Sequence, residues 1–120
     1  MEQPHPYLRE HYRLPVTYPV MFAAPMTIGE GTIINLSVFG CTIECTSTPP
    51  EVSNLLLRLI LPDKQESLPI DVAAVQWVKE KQIGVQFTKV ERAANLRLHG
   101  FVWDRMLERL QMLKQQHTTL

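Results

Sequence analysis

Long apolar runs are missing from this chain: no stretch approaches the ~20 residues that a bilayer-spanning helix requires, so membrane insertion is not expected. Net charge is missing too, with 12 basic and 12 acidic side chains in balance. No overall basic field would then draw the chain onto duplex nucleic acid or an anionic membrane, and an anionic ligand must be met by local arginines. Cysteine is limited to Cys41 and Cys45. On one strand, at ~3.3 Å per residue, their Cα atoms stand roughly 13 Å apart, beyond disulfide reach. Two cysteines without a Cys-x-x-Cys pair make no metal framework, so buried thiols on either side of Ile43 are expected. The few glycines form no Walker or Rossmann phosphate loop. No repeat or low-complexity tract occurs. Met1 to Pro6 lack the basic and apolar regions of a secretory signal, and a cytoplasmic protein is expected.

Side chains arranged for catalysis are also lacking. His5, His11, His99 and His117 share no metal-ligand spacing. Asp63, Glu66 and Asp71 flank a turn and a strand start, without a paired-carboxylate pattern. No enzyme activity, metal or cofactor is expected.

What is present is one domain's worth of chain, 120 residues, enough for a core without metal or disulfide support. Val16–Ala24 is rich in β-branched and aromatic residues, and Pro19 within it points to an edge or a bulge. Gly29-Glu30-Gly31 reads as a turn, from which Gly31 to Gly40 rises as a second strand into a tight polar turn. Phe39–Thr46, Leu55–Leu61, Leu68–Lys79 and Gln82–Thr88 complete a set of six, with Lys81-Gln82 turning between the last two. Six short strands with no helices between them predict an all-β fold, a small six-stranded antiparallel barrel, and exclude a parallel βαβ sheet.

The period changes in the last quarter. Thr88 and Glu91 have capping-box spacing, and Trp103, Met106, Leu110 and Leu113 recur at three- and four-residue steps, predicting an amphipathic C-terminal helix. Gly100 predicts a kink or break there. The apolar stripe is expected to lie on the barrel and cover one end; contact with a partner protein, or a dimer through the helix, is the alternative. The chain is thus divided into a flexible arm over residues 1–15, a barrel over 16–88 and a helical region over 89–120 packed on it.

Arg9 and Arg13 lie four apart before the first strand. A guanidinium fork can grip phosphate oxygens bidentately, stack under a purine, or meet the O6/N7 edge of guanine. Further on, Asn35 and Ser37 fall two apart on one side of a strand, with hydrogen-bonding capacity for a base edge or a phosphate. Gly40 follows, allowing either a positive φ or close approach of a ligand. From spacing alone these residues read equally as a solvated basic pair and an unrelated Asn/Ser turn.

Taken together, Arg9-x-x-x-Arg13 followed by Asn35-x-Ser37-x-x-Gly40 resembles the two-part signature of PilZ domains, bacterial six-stranded barrels that bind cyclic di-GMP. Val75-Gln76-Trp77 and Ile83-Gly84-Val85-Gln86-Phe87 resemble the family's later strands, and a C-terminal helix is usual there. The resemblance implies that Arg9 and Arg13 hold the phosphates and a guanine Hoogsteen edge, and that Asn35, at the family's Asp-or-Asn position, reads the second guanine. Ser37 would bond nearby, Gly40 would keep the turn clear, and Trp77 would pack against the ligand or serve as a rim side chain. Leu8, where an additional arginine might favour a stacked ligand pair, points to a single dinucleotide.

The function expected is a cytoplasmic cyclic di-GMP receptor whose arm folds over the ligand to signal to an unidentified protein partner. Its rival is a nucleotide-independent adaptor acting through the helix. An RNA- or DNA-binding barrel is disfavoured by the neutral charge and the lack of an aromatic row on a strand face.

Overall fold

The computed structural model describes residues 12–49 and 51–118. Among the described residues six strands, β1 (Leu14–Ala24), β2 (Thr27–Leu36), β3 (Gly40–Cys45), β4 (Asn54–Leu59), β5 (Leu68–Lys79) and β6 (Gln82–Lys89), precede one helix, α1 (Arg92–Thr118). The strands close into an antiparallel barrel in the order β1-β2-β3-β6-β5-β4, with β4 returning to β1. The all-β barrel with a C-terminal helix is the architecture expected.

Period-two alternation explains the interior. Leu55, Leu57 and Leu59 on β4, Cys41, Ile43 and Cys45 on β3, and Ile83, Val85 and Phe87 on β6 all point inward and are buried. Both cysteines are free thiols. Where the alternation fails, bulges restore it. One between Ile33 and Asn35 lets both Ile33 and Leu36 reach the core, although their spacing is odd. Others lie in β6 at Thr88, opposite Val72 and Ala73, and in β5 at Gln76, between Val75 and Trp77.

Several local expectations are corrected. The β1–β2 turn is Pro25-Met26, not Gly29-Glu30-Gly31, which lies inside β2. Gly29 is placed instead by packing, since a Cβ there would press into the Phe22 ring. The β5–β6 turn is Glu80-Lys81, with Glu80 in the left-handed region at φ 56. Of the two readings of Pro19, the closed barrel offers no edge, but a bulge does lie just before it in β1, between Pro15 and Tyr18. Its carbonyl accepts from Ile60 N at 3.0 Å, so its ring nitrogen faces the same strand, one pair beyond Val20–Leu59. The missing N–H gives up only the return bond of that terminal pair.

The capping box is also overturned. Thr88 is still in β6, its Oγ1 donating to Val72 O at 3.2 Å. The helix starts at Arg92, and Glu91 just before it closes the first turn, its carbonyl accepting from Asn95 N at 2.8 Å. Gly100 neither breaks nor ends α1, which runs on for a further eighteen residues. Of the stripe named from the sequence only Met106 packs against the barrel core. Ala94, Leu98, Phe101 and Val102 provide the main contact, while Trp103, Leu110 and Leu113 stay about half exposed. Phe101 meets Tyr18 edge-on at 5.8 Å between centroids, and Arg97 grips Asp63 through Nε (3.3 Å) and Nη2 (3.0 Å), tying the helix to the β4–β5 loop.

Candidate functional site

Across four neighbouring strands, Asn35, Thr42, Gly84 and Trp77 form one continuous cross-strand row on the outer wall. At ~4.8 Å per strand the row spans about 14 Å. In the next row Gly40 faces Gln86, which faces Ala74. A recess of about 660 Å³ opens along these two rows. It is lined by Arg13, Ser37, Phe39, Gly40, Cys41, Thr42, Gln76, Trp77, Gly84, Val85 and Gln86. Among these described residues there is one cation and no acid, so the lining favours an anion.

Arg13 sits one residue before β1 and is exposed; its Nη1 donates to Asn35 Oδ1 at 3.0 Å. That bond joins the two parts of the signature, twenty-two residues apart. The acceptor is an uncharged amide oxygen, and the bond takes one of the five guanidinium donors of Arg13. Arg9 lies outside the described residues.

Ser37 is buried at 3% exposure in the β2–β3 turn. Its Oγ accepts from Phe39 N (3.2 Å) and Gly40 N (3.1 Å) and donates to Gly40 O (3.2 Å). Donor and both lone pairs are occupied, so Ser37 first of all builds the turn, as a local Ser turn does. Gly40 corrects the expectation more sharply. No described glycine has positive φ, and a Cβ on Gly40 would collide with Val85 O and stand 3.2 Å from Gln86 Cα. The glycine lets β3 lie against β6; it does not serve a left-handed turn.

Trp77, 44% exposed, lays its indole on Gly84, where any Cβ would overlap Nε1 and Cε2 of the ring. This pairing was missed in the sequence, as were Phe39, Thr42, Gln76 and Gln86. Glycine inside an otherwise alternating strand marks close approach, and Gly84 was legible on that ground. Cys41, behind the recess wall, has its thiol pushed up to about 12 by burial, with the Arg13 charge pulling the other way. It stays protonated and unreactive at neutral pH.

A family model described as the PilZ domain matches residues 7–102. The chain belongs to the PilZ domain family. Proteins of this family are generally cyclic di-GMP receptors, and PilZ domains bind rather than catalyse. The barrel is similar to that of the Bacillus subtilis inhibitor of motility (MotI/DgrA), at 15% identity and a TM-score of 0.68, over 80% of this chain and 49% of that one. It therefore spans about half the length of that protein. The PilZ domain of CeSA from a cellulose-synthesizing bacterium is similar at 21% identity and a TM-score of 0.63, over 79% of this chain and 98% of the domain. An uncharacterized Legionella protein, Lpg0364, matches at 16% identity and a TM-score of 0.54, over 84% and 99%. At these identities the likeness is one of fold. No curated protein matches the sequence significantly.

Proposed function

We propose that this PilZ domain is a bacterial cyclic di-GMP receptor whose N-terminal arm orders over the dinucleotide and so signals to a downstream protein partner. The observation that carries the reading is the Arg13–Asn35 hydrogen bond at the rim of a recess whose described lining holds no acid. It brings the two halves of the signature together beside an exposed indole that offers a face to a purine. Arg9 and Arg13 take the phosphates and a guanine edge. Asn35 reads the second guanine directly or through Arg13, and Trp77 packs against a base. Ser37 and Gly40 contribute by holding the turn and the wall. Leu8 favours one dinucleotide per chain. The reading assigns no reaction and no cofactor, and places the protein in the cytoplasm, where the dinucleotide is made.

Arm ordering provides the differential affinity that a switch requires. It is tested by hydrogen exchange of residues 5–15, where protection rises on adding ligand; unchanged protection removes the switching step. Binding is tested by calorimetric titration of cyclic di-GMP into the wild type and into Arg9→Ala and Arg13→Ala. Saturable one-to-one binding, weakened at least tenfold by either substitution, is expected, since a charge-assisted bond contributes about 1.5–3 kcal/mol. A folded wild type that binds nothing leaves the nucleotide-independent adaptor, which the half-exposed apolar face of α1 favours.

A further inference from the structure

Helix α1 carries two apolar faces, and the barrel uses only one. Ala94, Leu98, Phe101 and Val102 pack on the barrel. At 100° per residue, the stripe Leu96, His99, Trp103, Met106, Leu110 and Leu113 runs along a neighbouring side, touching the barrel core only through the partly buried Met106. Its steps alternate three and four residues without a break, which is the a/d repeat of a helix pair. Four of its members remain open to solvent, Leu96 at 64%, Trp103 and Leu110 at 48% and Leu113 at 45%.

We infer that this stripe pairs antiparallel with the same stripe of a second copy, an inference independent of the ligand reading. The sequence of the stripe is what selects a copy of itself. A two-fold interface requires that if one residue meets another, the reverse contact also forms. Reversing the stripe sets Leu96 against Leu113 of the second copy, His99 beside its Leu110 and Trp103 against its Met106, so every layer contains at least one large apolar side chain. Charge selects the direction. In a parallel pair the flanking Arg109 of each copy would face Lys114 of the other, two like-charge contacts that disfavour that arrangement. Reversal moves both cations away from each other, with Lys114 near the helix start of the other copy, by Ala93. Size sets the strength. The stripe is roughly 26 Å long at ~1.5 Å per residue. Six side chains contributing on the order of 60–80 Å² each bury about 400 Å² per copy, roughly 800 Å² in total, below the ~1,200 Å² of stable specific interfaces. The pair is therefore a weak, reversible dimer that forms only at high protein concentration.

Sedimentation velocity of the full chain over a concentration series tests it. A monomer–dimer shift is expected for the wild type and its loss in Leu110→Glu, a variant whose unchanged circular dichroism and melting in dilute solution show that it folds. Direction is read by oxidative cross-linking of single-cysteine variants, with wild type as background because its own cysteines are buried. Leu96→Cys mixed with Leu113→Cys links across copies, whereas Leu110→Cys alone does not. A wild type that stays monomeric throughout, or a dimer that survives Leu110→Glu, overturns the pairing. Self-linking of Leu110→Cys overturns its direction.

Discussion

Replacing Gly40 with alanine separates two reasons for a glycine, clearance for a ligand and clearance for a neighbouring strand. The new Cβ would stand more than an ångström inside ordinary contact with Val85 O, and 3.2 Å from Gln86 Cα. Both obstacles are backbone, so neither can swing away. On its other side β3 is held by β2, and the turn before it is pinned by Ser37 and by Phe87 N donating to Phe39 O at 2.6 Å. Relief requires β3 and β6 to part locally, giving up one or two ladder bonds at about 1 kcal/mol each. Overpacking strain adds about 1–3 kcal/mol. Alanine's smaller entropy in the unfolded chain returns about 0.4–1 kcal/mol. The net loss is about 2–3 kcal/mol, a large share of the roughly 5–15 kcal/mol that holds a domain together, and lowers Tm by roughly 10 °C. The assay is urea and thermal unfolding of the ligand-free protein, followed by tryptophan emission and far-ultraviolet circular dichroism. A ligand-free stability unchanged within about 0.5 kcal/mol, with binding lost, would refute the strand-packing account and return Gly40 to the ligand.

Three further outcomes follow from neighbouring features. Gly84→Ala drives the Trp77 indole off the wall but meets only a half-exposed side chain, so stability changes by less than about 1 kcal/mol. In a Trp103→Phe background, Trp77 emission shifts to the red and cyclic di-GMP affinity falls several-fold; unchanged emission would show that the indole does not rest there. Gly100→Ala has nothing within 4 Å of its new Cβ and is expected to stabilise by about 0.5–1 kcal/mol in urea unfolding. The fold is expected to weaken in alkali. Burial raises the thiols of Cys41, to about 12, and Cys45, and the phenol of Tyr18. Their stabilising effect is complete below the unfolded values and is lost as pH climbs through the folded ones. For Cys41 the loss begins near the unfolded thiol value of about 8.5–9 and reaches about 1.4 kcal/mol per pH unit. Urea midpoints between pH 8 and 11, shallower in slope for Cys41→Ala, check the sign.

Strand-level order was legible because β4 and β6 alternate cleanly and turn residues separate the runs. Cys41, Ile43 and Cys45 were placed on the buried side of β3 for the same reason. What misled was local chemistry that tertiary packing overrode. Gly29 and Gly31 look like a turn, yet they sit inside β2 because Phe22 and the Glu44 backbone crowd them. Thr88 and Glu91 look like a capping box, yet Thr88 is the bulged residue of β6, its flanking residues paired with β5 and its hydroxyl donating to Val72 O.

By itself the sequence determined a six-stranded antiparallel barrel, a terminal helix and the two half-motifs, since period and turn residues are local properties that survive in a linear string. Only the tertiary structure decided that Arg13 reaches Asn35, that Gly84 makes the bed for Trp77, and that Gly40 answers to β6. Each depends on registers between strands far apart in the chain, shifted by bulges that no periodicity announces. It likewise decided which of the helix's two apolar faces the barrel takes. Both faces carry hydrophobic side chains, and the docked one is held by Phe101 against Tyr18 and by Arg97 on Asp63, partners far away in the chain.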